Sequence, residues 1–416
     1  MTKPSRRNFL GAVGGLAGAA SLAPVERQSA LARPAAFADT EPFYGLHQAG
    51  IATPMQDSLY FAAFDLAAAN RADVILLLQD WTRAAARLTS GLTAEAGAQA
   101  EEAPGLDSGE TIGMTPAKLT ITFGFGPDFF TFDGKDRYSL AANRPAALVD
   151  LPRFAGDQLV SGQCGGALAI QACANDPQIA FHAVRQLARI SYGAATLKWV
   201  QSGFATGNKT QGTARNLMGF KDGTMNPIGA ALPPVIWAGA EGPAWMNGGS
   251  YMVARRIRIA LEHWDRMKIA FQEQTFGRQK HSGAPLGGTT EFETPDFQAT
   301  DADGNYVIPE TSHVRLGAAA NNGGAQILRR SYSYNDGANF VAERWPPWHQ
   351  GIEYNSGLFF QAYQKDPRTG FIRIFDQMSK IDALNQFTTH IGSAVFACPP
   401  GVQPGEFIGQ KLFETS

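Results

Sequence analysis

The order in which apolar patterning changes its period along the chain restricts the fold more than any other feature. Residues 57–63 (DSLYFAA) suit a strand, and residues 67–88 carry apolar side chains at helical spacing. Residues 119–125 (LTITFGF) and 168–173 (LAIQAC) read as two further strands, residues 177–192 as a helix, and residues 195–203 as a last strand. The first half therefore runs β-α-β-β-α-β.

The second half repeats that grammar, with strands predicted at 250–261, 327–334 and 358–363 and helices at 264–271 and 380–390. The order predicts two α+β modules of the ferredoxin-like kind, side by side. The Gly-, Thr-, Asn- and Gln-containing segment 203–214 marks their boundary and divides the ordered chain into modules 39–208 and 209–416. Residues 276–320, rich in Gly, Pro, Asp and Thr and without sustained periodicity, form a long loop region of the kind that usually carries function. Residues 94–107 are small and acidic and read as a surface insertion.

At 416 residues the chain is long enough to bury a sizeable core without staples. A formal net charge of −2 gives no electrostatic reason to expect nucleic acid or an anionic membrane as partner. Cys164, Cys173 and Cys398 form no C-x-x-C pair, which argues against a finger-type zinc site or a disulfide framework. The absence of C-x-x-C-H excludes a thioether-linked haem and leaves non-covalent haem open.

Residues 1–38 differ in kind from the rest. A short basic start precedes a Gly- and Ala-rich apolar run from Phe9 to Ala23, too short to span a membrane and followed by Pro24, Glu26 and Arg27. The start, Ser5-Arg6-Arg7-Asn8-Phe9-Leu10, resembles a twin-arginine export signal, with Ala36-Phe37-Ala38 the favoured cleavage site over Ala30-Leu31-Ala32. That route carries folded cargo to the periplasm or beyond, so the translocase is a transient partner, stable membrane insertion is not expected, and a cofactor inserted before export would suit it.

The chain contains no H-E-x-x-H, no G-x-S-x-G, no P-loop and no complete dinucleotide-binding glycine motif. What stands out is Gly219-Phe220-Lys221-Asp222-Gly223-Thr224, an acid between glycines, followed by Asn226-Pro227. For an arbitrary protein this is an Asp-Gly turn and nothing more. Here it resembles the G-x-x-D-G motif of the dye-decolourising (DyP-type) haem peroxidases, and other segments agree in family order. These are Glu41-Pro42-Phe43 with His47-Gln48-Ala49-Gly50-Ile51, Leu151-Pro152-Arg153-Phe154 with Gly156-Asp157, Gly277-Arg278 with Gly283-Ala284-Pro285-Leu286, Ser312-His313-Val314-Arg315, and Ile327-Leu328-Arg329-Arg330-Ser331. The resemblance covers residues 41–413 and is greatest to the exported bacterial branch, which includes the peroxidase of a periplasmic iron-uptake system.

The resemblance implies two ferredoxin-like modules with haem b bound non-covalently between them, and a peroxidase that reduces hydrogen peroxide at the expense of an organic donor such as a dye or phenolic. It makes His313 the proximal iron ligand among seven histidines, and Asp222 the distal acid that takes a proton from hydrogen peroxide and returns it to the outer oxygen. Arg329 is the charge that stabilises both; strand alternation sends Arg330 to the opposite face and brings Ser331 back to the pocket side. Gly223 and Arg315 complete the expected cofactor contacts, Arg315 towards a haem propionate. Asp376 is the candidate to orient the proximal imidazole. Tyr332, Tyr334, Trp345 and Trp348 are the aromatics near the distal strand that could relay electrons. A carboxylate as distal base predicts an acidic activity optimum.

Two other readings compete. The same pocket would serve a haem deferrochelatase or another iron-handling protein, distinguishable by release of intact protoporphyrin. A non-enzymatic αβ binding module would lack a haem absorbance band. A homo-oligomer is compatible with the sequence, which carries no signal for or against one.

Overall fold

The computed structural model describes residues 39–97, 102, 105–205, 212–342 and 350–414; the segment resembling an export signal and the centre of the 203–214 boundary lie outside them. Among the described residues nine strands occur in the order β1 (Ser58–Leu66), β2 (Thr120–Phe125), β3 (Leu168–Ala174), β4 (Ala195–Phe204), β5 (Ser250–Ile259), β6 (Leu328–Arg329), β7 (Tyr332–Ala342), β8 (Gln350–Gln364) and β9 (Thr388–Cys398). Pairing follows β2-β3-β1-β4 in the first half and β9-β5-β8 with β7 and β6 beside β8 in the second, antiparallel throughout. In each half the outer strands are the second and the last, the arrangement that the β-α-β-β-α-β order predicts. The two sheets meet edge to edge through single pairs, Phe125 with Ala397 and Phe204 with Ser333.

Helices Arg71–Thr89 and Pro177–Ile190 cover the first sheet. Each starts where a side chain satisfies amides the helix leaves open: Asn70 accepts from the Asp73 amide, and Asp176 from those of Gln178 and Ile179. The acidic insertion ends in a segment tied to the second of these helices. Buried His182 lies 3.0 Å from Glu110 and 3.5 Å from Asp107, and Arg185 also pairs with Glu110. Burial works to raise the pKa of Glu110, but hydrogen bonds from Ser108 and His182 and its own backbone amide outweigh it and bring the pKa to about 2.

The second half departs from its predicted elements in three places. The helix expected at 264–271 is two pieces, Leu261–Trp264 and Ile269–Phe276, and Gln272 bridges the break by donating to the carbonyls of Trp264 and Met267. The strand expected at 327–334 is interrupted between Arg329 and Tyr332. The closing helix expected at 380–390 lies earlier, at Phe371–Ile381; Asp382 then caps a short turn through the Leu384 amide, and the chain enters β9.

The inner faces of the two sheets enclose an aromatic core. Phe61 of β1 packs on Trp199 of β4 (ring centroids 4.9 Å apart) and on Phe359 and Phe396 of the second half (5.1 and 6.1 Å). It is fully buried. Phe61→Ala should destabilise the fold by about 3–5 kcal/mol, measured as a fall in the denaturant midpoint. Because the cavity described below lies on the other face of the second sheet, haem binding under native conditions should persist.

Candidate active site

A cavity of about 400 Å³ opens on the outer face of the second sheet. This volume is in the range of cofactor pockets. Ile257 and Ile259 of β5, Leu358 and Phe360 of β8 and His390 of β9 line one wall, and the apolar face of the Phe371–Ile381 helix lines another. Strand alternation explains the wall, since Met252, Ala254, Phe359 and Tyr363 point the other way, into the core between the sheets. Every lining residue falls between Asn216 and His390. The resemblance implies a cofactor between the two modules; the cavity is lined wholly from the second, and side chains fill the space between the sheets.

Asp222 enters this cavity from a tight hairpin. Arg215 pairs with Lys221 as an antiparallel bridge, and the Asp222 amide donates to Ala214 O at 2.9 Å. The glycines on either side have different reasons. Gly219 has φ +86° and a Cβ there would come within 2.8 Å of Lys280 Cε, whereas at Gly223 space is open and φ +99° alone favours glycine. Arg329, at the end of β6, donates from Nη1 to Asp222 Oδ1 at 2.9 Å. Its backbone is fixed by Asn226, whose side chain donates to Arg329 O and accepts from Arg329 N in the manner of a neighbouring strand. Among the described residues no hydrogen bond engages Asp222 Oδ2.

His313 opens the short helix His313–Gly317 and also lines the cavity. Its Nδ1 lies 2.7 Å from Oδ2 of Asp382, a carboxylate that is almost fully buried. A carboxylate on Nδ1 fixes the proton there and leaves the Nε2 lone pair for a metal. The orienting acid is thus Asp382 and not Asp376, which pairs with Lys380 on the exposed side of its helix.

Other expected contacts do not reach the cavity. Arg315 follows His313 by two residues, about 200° round a helix, and its guanidinium donates to Ile308 O and Phe297 O. Ser331 is not among the lining residues, and its Oγ is buried with no hydrogen-bond partner among the described residues; Gly223 shapes the hairpin while its neighbours Thr224 and Met225 line the cavity. Arg330, still paired to β8 through its amide on Gln361 O, turns to the opposite face and binds Thr53 O and Gln56. Tyr332 and Tyr334 are buried in the core, away from the cavity, and Trp345 and Trp348 lie outside the described residues.

Besides Asp382, two further polar cavity residues carry no role in the sequence reading. Arg278 is buried, donates from Nη1 to Gly283 O and Glu291 O, and keeps an Nη2 without a partner among the described residues. His390 accepts on Nδ1 from Arg255 Nε at 3.0 Å. Burial, and then the Arg255 charge, hold its pKa well below the usual imidazole range, so the ring is neutral with its proton on Nε2. Arg255 itself is fully buried and paired with Asp157.

These residues fit haem. One oriented imidazole can ligate iron, an ionic pair reaches the same cavity, apolar walls suit a macrocycle, and the unpartnered Nη2 of Arg278 matches a propionate.

Comparison with known proteins agrees. Residues 48–205 match the family model described as Dyp-type peroxidase, N-terminal, and residues 213–403 the one described as Dyp-type peroxidase, C-terminal. The chain is 35% identical over 434 residues to a protein of Escherichia coli K12 named Deferrochelatase, covering 99% of this chain and 97% of that one. Ferric DtpA from Streptomyces lividans (39% identity, TM-score 0.81) and a DyP-type peroxidase from Streptomyces coelicolor (38%, 0.81) each cover 90% of this chain and 97% of their own. Asp382→Ala should lower haem affinity by roughly 10–100-fold, measured by haem transfer to a competing apoglobin; unchanged transfer would remove Asp382 from the ligand's support.

Proposed function

Because the chain belongs to the Dyp-type peroxidase family, whose cofactor is haem, we propose that the cavity in its second half is the peroxidase site, with His313 as the iron ligand and Asp222 and Arg329 as the proton-handling pair. The chain is a haem peroxidase: it reduces hydrogen peroxide and takes electrons from an organic donor. The observation that carries the assignment is the 2.9 Å contact between Asp222 and Arg329 on the same cavity as His313.

Bound haem supplies the redox chemistry at the iron. The chain's own residues handle the proton. Asp222 would accept a proton from hydrogen peroxide bound in the cavity and hold it for return to the departing oxygen. Arg329 pairs with Asp222 and is placed to offset negative charge that develops on the peroxide oxygen. Asp382 keeps the His313 ring fixed, with Nε2 turned to the cavity as the nitrogen that would hold iron. Arg278 is the candidate for a haem propionate in place of Arg315.

The start of the chain supports folded export by the twin-arginine route to the periplasm or beyond, and no helix among the described residues is long and apolar enough to cross a membrane. The segment between the two family matches, residues 206–212, supports a module boundary near residue 208. The name of the Escherichia coli relative supports a second activity for the same pocket, removal of iron from haem, which release of intact protoporphyrin from added haem would reveal.

The test is the optical spectrum of the haem-loaded protein after one equivalent of hydrogen peroxide. Asp222→Asn should slow the change in the Soret band by roughly 10²–10⁴-fold while the spectrum before peroxide is unchanged. Equal rates in the two proteins would exclude Asp222 as the proton acceptor.

A further inference from the structure

Glu291 belongs to the long loop region before His313, yet its side chain reaches the hairpin that carries Asp222 and grips both legs of it. Oε1 accepts from the Thr213 amide at 3.1 Å, from the Thr213 hydroxyl and from the Thr224 hydroxyl at 3.1 Å. Oε2 lies 3.4 Å from Lys221 Nζ, next to Asp222 in sequence. The residue is 9% exposed. Two glycines make room for it: a Cβ at Gly212 would come within 2.2 Å of Glu291 Oε2, and one at Gly283 within 2.7 Å of Lys221 Cγ and 3.3 Å of Glu291 Cγ. Arg278 donates to the Glu291 carbonyl, so the same residue also joins the hairpin to a buried cavity arginine.

We propose that Glu291 is the positioning residue for the distal acid, its carboxylate fixing the Thr213–Thr224 hairpin so that Asp222 meets Arg329 and peroxide in one geometry. Three donors converge on one oxygen and an ammonium faces the other, which only the anion satisfies. Burial works to raise the pKa of Glu291, but the Thr213 and Thr224 hydrogen bonds and the Lys221 charge outweigh it and hold the group ionised below the usual carboxylate range. An amide could not replace it. One orientation sets its NH₂ against Lys221, the other against the threonine donors.

The proposal rests on Asp222 as the proton acceptor, so the experiment measures wild type, Asp222→Asn and Glu291→Gln side by side as haem-loaded full chains. Glu291→Gln should keep the wild-type Soret band before peroxide, lower the second-order rate constant for hydrogen peroxide at least tenfold, and leave KM for the organic donor unchanged. Amide hydrogen exchange across residues 213–224 should quicken, a readout independent of turnover. The double variant Asp222→Asn with Glu291→Gln should be no slower than Asp222→Asn alone, since both act through one carboxylate. A slow Asp222→Asn beside an unimpaired Glu291→Gln overturns the inference and leaves the site assignment standing; an unimpaired Asp222→Asn overturns the assignment itself. If Glu291→Gln fails to retain haem, Thr224→Val, which removes one donor and keeps the anion, decides: a slower peroxide reaction with quicker exchange at 213–224 supports the proposal, and wild-type values of both overturn it.

Discussion

Filling of the space between the two sheets is the constraint from which the rest of the architecture follows. Phe61, Trp199, Phe359 and Phe396 close that interior, together with the buried rings of Tyr332, Tyr334 and Tyr363. With no volume left there, a cofactor-sized cavity can form only on an outer face. On the first sheet two long amphipathic helices occupy that face. On the second, the Phe371–Ile381 helix covers only part of it, and the long loop region between β5 and β6 closes over the remainder. The asymmetry between two halves of one grammar thus arises from what lies outside the sheets.

The cavity assembles charge without leaving it uncompensated. Asp222 meets Arg329, His313 meets Asp382, and the neutral ring of His390 meets Arg255, which is in turn paired with Asp157. Buried ionic groups are tolerated when each has such a partner. Arg278 is the exception, a buried guanidinium with one nitrogen unsatisfied by protein. A cofactor carboxylate is the chemistry that would complete it.

Asp222 and Arg329 do not hold each other in place by themselves. Asn226 fixes the backbone of Arg329, and Arg215 ties the hairpin to the loop through Gly219 O, Lys280 O and His281 O. Preorganisation of this kind is what makes a proton acceptor effective, because the geometry is set before the reaction begins.

The family, its cofactor and the repeated αβ order were legible in the sequence, since local patterning and short motifs are properties of neighbouring residues. Some errors were also errors of local reading: Phe371, Ile374, Phe375 and Met378 carry the i, i+3, i+4, i+7 spacing of a helix, which was overlooked in favour of residues 380–390. The break after Arg329 was of another kind, a local lapse in a ladder whose register with β8 resumes unchanged at Tyr332 opposite Phe359, a partner about thirty residues away in the chain. Only the tertiary structure decided that Asp382 and not Asp376 supports His313, that Arg315 turns away, and that Arg278, His390 and Glu291 gather around the same hairpin and cavity. Sequence by itself determined which chemical groups are available and the period at which each stretch buries its apolar side; which of them meet was decided by packing between segments far apart in the chain, where distance in sequence carries no information about distance in space.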